Sequence, residues 1–219
     1  MALSLRNISL GMATASFLLA GSAMAQNSQP MQSSQTNGSS AQEWQLKGAN
    51  ARLDRALDAQ STHSGQVVGA KLDHGVKMTN GSELPGGTQL WGKVEKADAS
   101  QNGGPSSLTL RFMWAQLKNG QKVPVKVTVI AAFPPSARSS YLNSMGGELP
   151  PAPRHINPND RYTQEPGMLR HIGMKSAVQA HNSATFTDQS GNVKLARGTY
   201  LQLAIAERNS AGQTQRSVM

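Results

Sequence analysis

The chain has 219 residues, 37% of them hydrophobic, with 21 Lys and Arg against 12 Asp and Glu and a formal net charge of +9. That length suits one ordinary domain with tails, and the absence of Cys excludes a disulfide framework or a thiolate metal centre. The basic balance favours acidic partners, although the cations are scattered rather than run together.

Residues 1–25 read as a cleavable secretory signal. Arg6 supplies a short basic region, Ile8 to Ala20 an apolar run, and Ala23-Met24-Ala25 an A-x-A cleavage site. The apolar run is shorter than the ~20 residues a spanning helix needs, so cleavage after Ala25 is expected, with no transmembrane helix thereafter. The expected location is periplasmic or extracellular. Residues 26–43 are rich in Ser, Gln and Asn, poor in apolar bulk, and read as a disordered linker.

From residue 44 the pattern becomes that of strands. Leu46, Leu53 and Leu57 have helical spacing, whereas Ala49, Ala51 and Leu53 alternate, so this stretch alone does not choose between helix and strand. Val68, Ala70 and Leu72 alternate clearly, as do Leu90, Gly92 and Val94. Leu108, Leu110, Phe112 and Trp114 are then followed, after Asn119-Gly120, by Val123, Val125, Val127 and Val129. Asn-Gly favours a type I′ hairpin turn. A two-residue loop there sets Trp114 opposite Val125, Phe112 opposite Val127 and Leu110 opposite Val129, with every one of these side chains on the core face.

Residues 133–167 contain Pro134, Pro135, Pro150, Pro151, Pro153, Pro158 and Pro166 and read as an irregular, Pro-rich insertion. Short strands are expected at 168–174 and 184–187, and a last strand at Tyr200–Glu207, followed by a flexible tail over 208–219. One echo links distant parts of the chain. Leu84-Pro-Gly-Gly-Thr-Gln-Leu90 and Leu195-Ala-Arg-Gly-Thr-Tyr-Leu201 share L-x-x-G-T-x-L, which suggests two equivalent places in a small barrel.

Chemistry-bearing motifs are missing. The five His residues form no H-E-x-x-H or close pair, and there is no G-x-S-x-G elbow or phosphate-binding P-loop. No catalytic residue, cofactor or metal ligand is assigned. The candidate interaction surface consists of Trp91, on the face opposite Leu90, Gly92 and Val94, together with Arg138, Tyr141, Arg154, Arg161 and Tyr162 of the insertion. No aromatic–basic platform for nucleic acid is legible, and none is expected as a partner.

These stretches resemble a group of exported bacterial proteins of unassigned role. The matching segments are Leu57-Asp58-Ala59, Gly65–Leu72, Leu84–Val94, Leu108–Gly120, Val123–Ala131 and Val193–Leu203. More distantly, their order is similar to the C-terminal β-barrel of TrbI-like type IV secretion scaffold proteins. The resemblance implies an extended strand within 46–60, an all-β barrel or sandwich over 44–207, and no enzymatic activity. It also implies association with other envelope proteins or with copies of itself. The expected function is a non-enzymatic envelope scaffold or interaction module. The alternatives are a binder of acidic envelope polymers such as peptidoglycan or lipopolysaccharide, and a secreted hydrolase.

Overall fold

The computed structural model describes residues 45–136 and 152–208. The expected signal, the linker, Arg138, Tyr141 and the tail beyond Arg208 lie outside the described residues. Strands are β1 (Lys47–Leu53), β2 (Leu57–Asp58), β3 (Val67–Leu72), β4 (Val76–Lys77), β5 (Glu83–Leu84), β6 (Gln89–Asp98), β7 (Ser106–Gln116), β8 (Lys122–Phe133), β9 (Arg161–Leu169), β10 (Ile172–Ala177), β11 (Ala184–Asp188), β12 (Lys194–Leu195) and β13 (Tyr200–Glu207). Six of them, in the order β6-β3-β1-β13-β8-β7, close into an antiparallel barrel through the β6–β7 pairing. Strands β11, β10 and β9 extend the sheet outside the ring from β7. No helix among the described residues is long and apolar enough to cross a membrane.

Apart from Trp114 and the partly buried Val123, the barrel interior is what the alternation predicted. Ala51, Leu53, Val68, Ala70, Leu72, Leu90, Val94, Leu110, Phe112, Val125, Val127, Val129, Leu201, Leu203 and Ile205 are all buried in one cluster. The ambiguous stretch after residue 46 is the strand β1, with Ala49, Ala51 and Leu53 inward. Gly92 also faces the partner strand closely. A Cβ there would stand 2.7 Å from the Phe112 Cα, so a larger residue would force β6 and β7 apart.

The echo in the sequence is a repeat in the structure. Pro85–Thr88 and Ala196–Thr199 form matching turns, with Thr88 and Thr199 donating to Pro85 and Ala196 carbonyls, each at 3.1 Å. Gly87 and Gly198 occupy the left-handed region at φ 82 and φ 79. Their N–H groups donate to Leu72 and Leu53, each at 2.8 Å. Those leucines in turn donate to the carbonyls of Thr88 (2.9 Å) and Thr199 (3.0 Å). The correspondence runs on around the ring. Pairs Ala70↔Leu90 and Lys71↔Gln89 answer Ala51↔Leu201 and Arg52↔Tyr200. The register shift between Trp91 and Gly92 answers the one between Gln202 and Leu203. Strands β3, β6 and β7 thus match β1, β13 and β8, as an approximate two-fold axis through the Arg52↔Lys71 pair requires.

The central hairpin departs from the expectation. Leu117 N–H donates to the Gln121 carbonyl and Gly120 N–H to the Leu117 carbonyl, both at 2.9 Å, which closes a three-residue loop. Only Gly120 has positive φ (84), as a turn with a terminal left-handed Gly demands, so the type I′ assignment fails. Trp114 pairs with Pro124, not Val125. The extra residue, Met113, is a bulge that reverses the alternation. Ala115 points inward instead, and Trp114 lies on the outside, 43% exposed.

Strands β7 and β8 pair only at Trp114–Gln116. Earlier along β7, β11 takes the same edge, from Ala184↔Leu110 to Asp188↔Ser106. Residues outside the two strands fill the resulting seam. Ser183, 1% exposed, donates its N–H to the Leu110 carbonyl at 2.7 Å. It accepts from Val129 N–H at 2.9 Å on its carbonyl and from Phe112 N–H at 3.0 Å on its hydroxyl. Gln164 reproduces a backbone ladder on Ala132, accepting from its N–H at 2.8 Å and donating to its carbonyl at 2.9 Å. The last part of the expected irregular insertion, residues 161–167, belongs to β9. Pro166 is accommodated where the β9–β10 register shifts, a place that needs no N–H. The expected strand over 168–174 is instead a corner between β9 and β10, turned by Arg170 at φ 57.

Candidate functional site

On the outer face of the barrel, the repeat places like charges together. Arg52 of β1 stands directly opposite Lys71 of β3, an arrangement that costs stability unless countered. Asp73 counters Arg52, its Oδ1 lying 2.8 Å from Nε, and the guanidinium rests 4.5 Å from the Tyr200 ring centroid. Asp54, the repeat counterpart of Asp73, accepts instead from the Gln89 side-chain amide. With Arg197 these residues line a shallow cleft of about 690 Å³, floored by Gly87 and Gly198 of the two matching turns.

Lysines converge over one of those glycines. The Cε atoms of Lys71 and Lys118 lie 3.4 and 3.8 Å from the point where a Cβ on Gly87 would sit. Among the described residues, no ion pair is made by Lys71, Lys118 or Arg197. The local field is therefore positive despite the two aspartates.

Beside the cleft lies a tryptophan pair. Trp91 and Trp114 are opposite one another on β6 and β7. The Trp91 ring covers Gly69 of β3, whose absent side chain leaves room for it; a Cβ there would be 3.1 Å from Cζ3. Asp54 and Gln89 reach the same point, which joins the pair to the cleft. Trp91 Nε1–H donates to Gln116 Oε1 at 2.8 Å and so fixes the indole orientation. Val67, 52% exposed, continues the apolar surface along β3.

Of the sequence-predicted site residues, Trp91 is in this patch and half-buried. Arg154 and Arg161 are exposed elsewhere. Tyr162 is half-buried, packs with Leu46, Val178, Ala204 and Ala206 over the outside of β13, and donates to Asp160 Oδ2 at 3.0 Å. Burial, and then this bond to a carboxylate, push its hydroxyl up to about 12. Tyr162 is thus a packing residue, while Arg161 borders a separate open cleft of about 680 Å³ with Lys175 and Asn182. The structure brings Arg161 and Tyr162 together at the start of β9 and leaves Trp91 among different neighbours. Sequence reasoning missed Trp114, Lys71, Lys118 and Arg197. The L-x-x-G-T-x-L echo pointed to the two turns that frame them.

A second charged cluster ties the extra strands to the ring. Lys126, 6% exposed, donates its ammonium to the Ala180 carbonyl in the β10–β11 turn. Burial, with Arg208 and Arg111 adding to it and Glu95 opposing, lowers its ammonium to about 8. Glu95 Oε1 lies 3.4 Å from Arg111 and 3.7 Å from His181 Nδ1. Among the described residues, no three His, Cys, Asp or Glu side chains gather as a metal site would need.

No protein-family model matches this chain, and no curated protein is significantly similar to it.

Proposed function

We propose that the chain is a non-enzymatic exported cell-envelope protein, a scaffold or interaction module that presents the outer face of its barrel to a partner. The observation that carries this reading is Trp114, 43% exposed and opposite Trp91 on the outside of the barrel, where among the described residues Val67 and Met168 are the other large apolar side chains in water. An indole left in water loses the transfer free energy that burial would provide, roughly 25 cal/mol per Å² of apolar surface. Such surface is characteristic of contact sites. The leader-like pattern of residues 1–25 supports export.

The test is to express the full gene with its own leader, fractionate the cells, and weigh the gently extracted protein by light scattering. The expected result is an envelope-associated particle heavier than one chain, or one carrying other envelope proteins, reduced to a free monomer by Trp114→Ser. A soluble monomer without partners, identical for the wild type and the variant, would sink the reading.

A further inference from the structure

We propose that the cleft between the two Gly-Thr turns and the adjoining tryptophan pair form one binding site for an acidic polysaccharide strand. An anionic group of the polymer sits on Lys71, Lys118 and Arg197, and a sugar ring covers the exposed indole of Trp114. The inference rests on the reading above only in taking the outer face of the barrel as the contact surface.

Three observations converge on it. The first is the cation arrangement. Lys71 faces Arg52 across the β1–β3 ladder and meets Lys118 over Gly87, and neither lysine has an ion-pair partner among the described residues. An incoming anion there meets cations that no carboxylate already holds. The second is the space. Gly87 has φ 82, so this position resists a side chain on backbone grounds, and its missing side chain leaves the place that the Lys71 and Lys118 chains occupy at the mouth of the cleft. The third is the neighbourhood of the indoles. Trp91 is anchored by Gln116, and Asp54 and Gln89 lie at its rim, so flat apolar surface adjoins carboxylate and amide groups. Sugar rings need this mixture: C–H faces lie on an aromatic plane while hydroxyl groups bond to carboxylates and amides.

The same cations and indoles could stack and neutralise a single-stranded nucleic acid. Asp54 and Asp73 weigh against that occupant. They stand in the cleft where a phosphate-dense backbone would meet them, whereas sugar hydroxyls donate to carboxylates. A polymer with a sparser charge and many hydroxyls suits this lining better.

The experiment uses the full chain and three probes: alginate, neutral dextran and inorganic polyphosphate. Isothermal titration is expected to show alginate binding that weakens with salt, and at least tenfold weaker binding to dextran. Lys71→Gln with Lys118→Gln should weaken alginate binding about tenfold or more. Trp114→Ser should do likewise, while Trp114→Phe retains binding. Polyphosphate should lose affinity with the lysine changes and be indifferent to Trp114→Ser. These positions are on the surface, and circular dichroism checks that each variant keeps its fold.

No binding of alginate by the wild type would overturn the proposal. So would alginate binding unchanged by Trp114→Ser, or displacement of alginate by oligothymidylate at lower concentration than by alginate oligomers. If Trp114→Ser abolishes envelope association but alginate does not bind, this inference fails and the interaction reading stands. If alginate binds but no envelope association is found, the reverse holds.

Discussion

Lys126 places an ammonium where water hardly reaches, and the consequence is readable as pH dependence. Its ammonium is lowered from the ordinary 10.5 to about 8, with burial the leading cause and Arg208 and Arg111 next. Below pH 8 the folded and unfolded chains both hold the proton, and the folded chain bears the full cost of burying it. Between about 8 and 10.5 the unfolded chain holds a proton that the folded chain has released, so stability rises with pH across that window. Tyr162 acts in the opposite sense above pH 10, because its folded-state value is raised to about 12. The expected outcome is that wild type gains denaturation midpoint relative to Lys126→Met on going from pH 8 to pH 10. A pH-independent difference between them would show that Lys126 does not titrate there. Nothing in the sequence marked Lys126, because burial on the outer side of β8 requires the β10–β11 turn to cover it. Trp114 was misread for a related reason. Alternation places it inward unless one residue is skipped, and Met113 carries no local sign that it is the skipped one. Asn119-Gly120 did announce a turn, but the same pair serves a two-residue loop and a three-residue loop ending in left-handed Gly.

Among the elements, the β7–β8 seam is the place where a residue outside both strands replaces direct strand pairing. Ser183 joins the two strands through its N–H, carbonyl and hydroxyl. Removing the hydroxyl leaves the Phe112 N–H buried without its acceptor, a loss of about 1–3 kcal/mol. Ser183→Ala is therefore expected to lower stability by that amount in urea unfolding, and to speed hydrogen exchange at Phe112 more than at β1–β3 amides. Equal exchange at both places would contradict this account of the seam. The ring strands other than β1 were legible from period-two patterns, because each has one face in the core; in β1 the helical spacing of Leu46, Leu53 and Leu57 masked the alternation. Strand β9 was not legible. Its burial pattern is irregular, it contains Pro166, and its register against β10 shifts, so neither alternation nor propensity could mark it.

For the molecule as a whole, the two-fold correspondence is spatial but not sequential. One half, β3, β6 and β7, comes from the continuous stretch 67–116; the other gathers β1, β8 and β13 from distant parts of the chain. The L-x-x-G-T-x-L echo is one part of this relation in the sequence and the short match of Ala51-Arg52-Leu53-Asp54 with Ala70-Lys71-Leu72-Asp73 is another, too brief to stand out alone; elsewhere the relation lives in backbone pairing rather than in side-chain identity. Two halves alike in space are then unlike in time. Closing the short connections of the continuous half costs less chain entropy than bringing Ala51 to Leu201. Folding should thus begin in β3–β6–β7, with the second half condensing upon it. Stopped-flow chevrons test this order: Val68→Ala and Leu90→Ala should mainly slow folding, and Leu201→Ala and Leu203→Ala mainly hasten unfolding, each leucine change costing roughly 2–5 kcal/mol. The reverse partition would place the nucleus in the scattered half. A barrel that looks balanced when complete is, on this account, assembled as a template and its late copy.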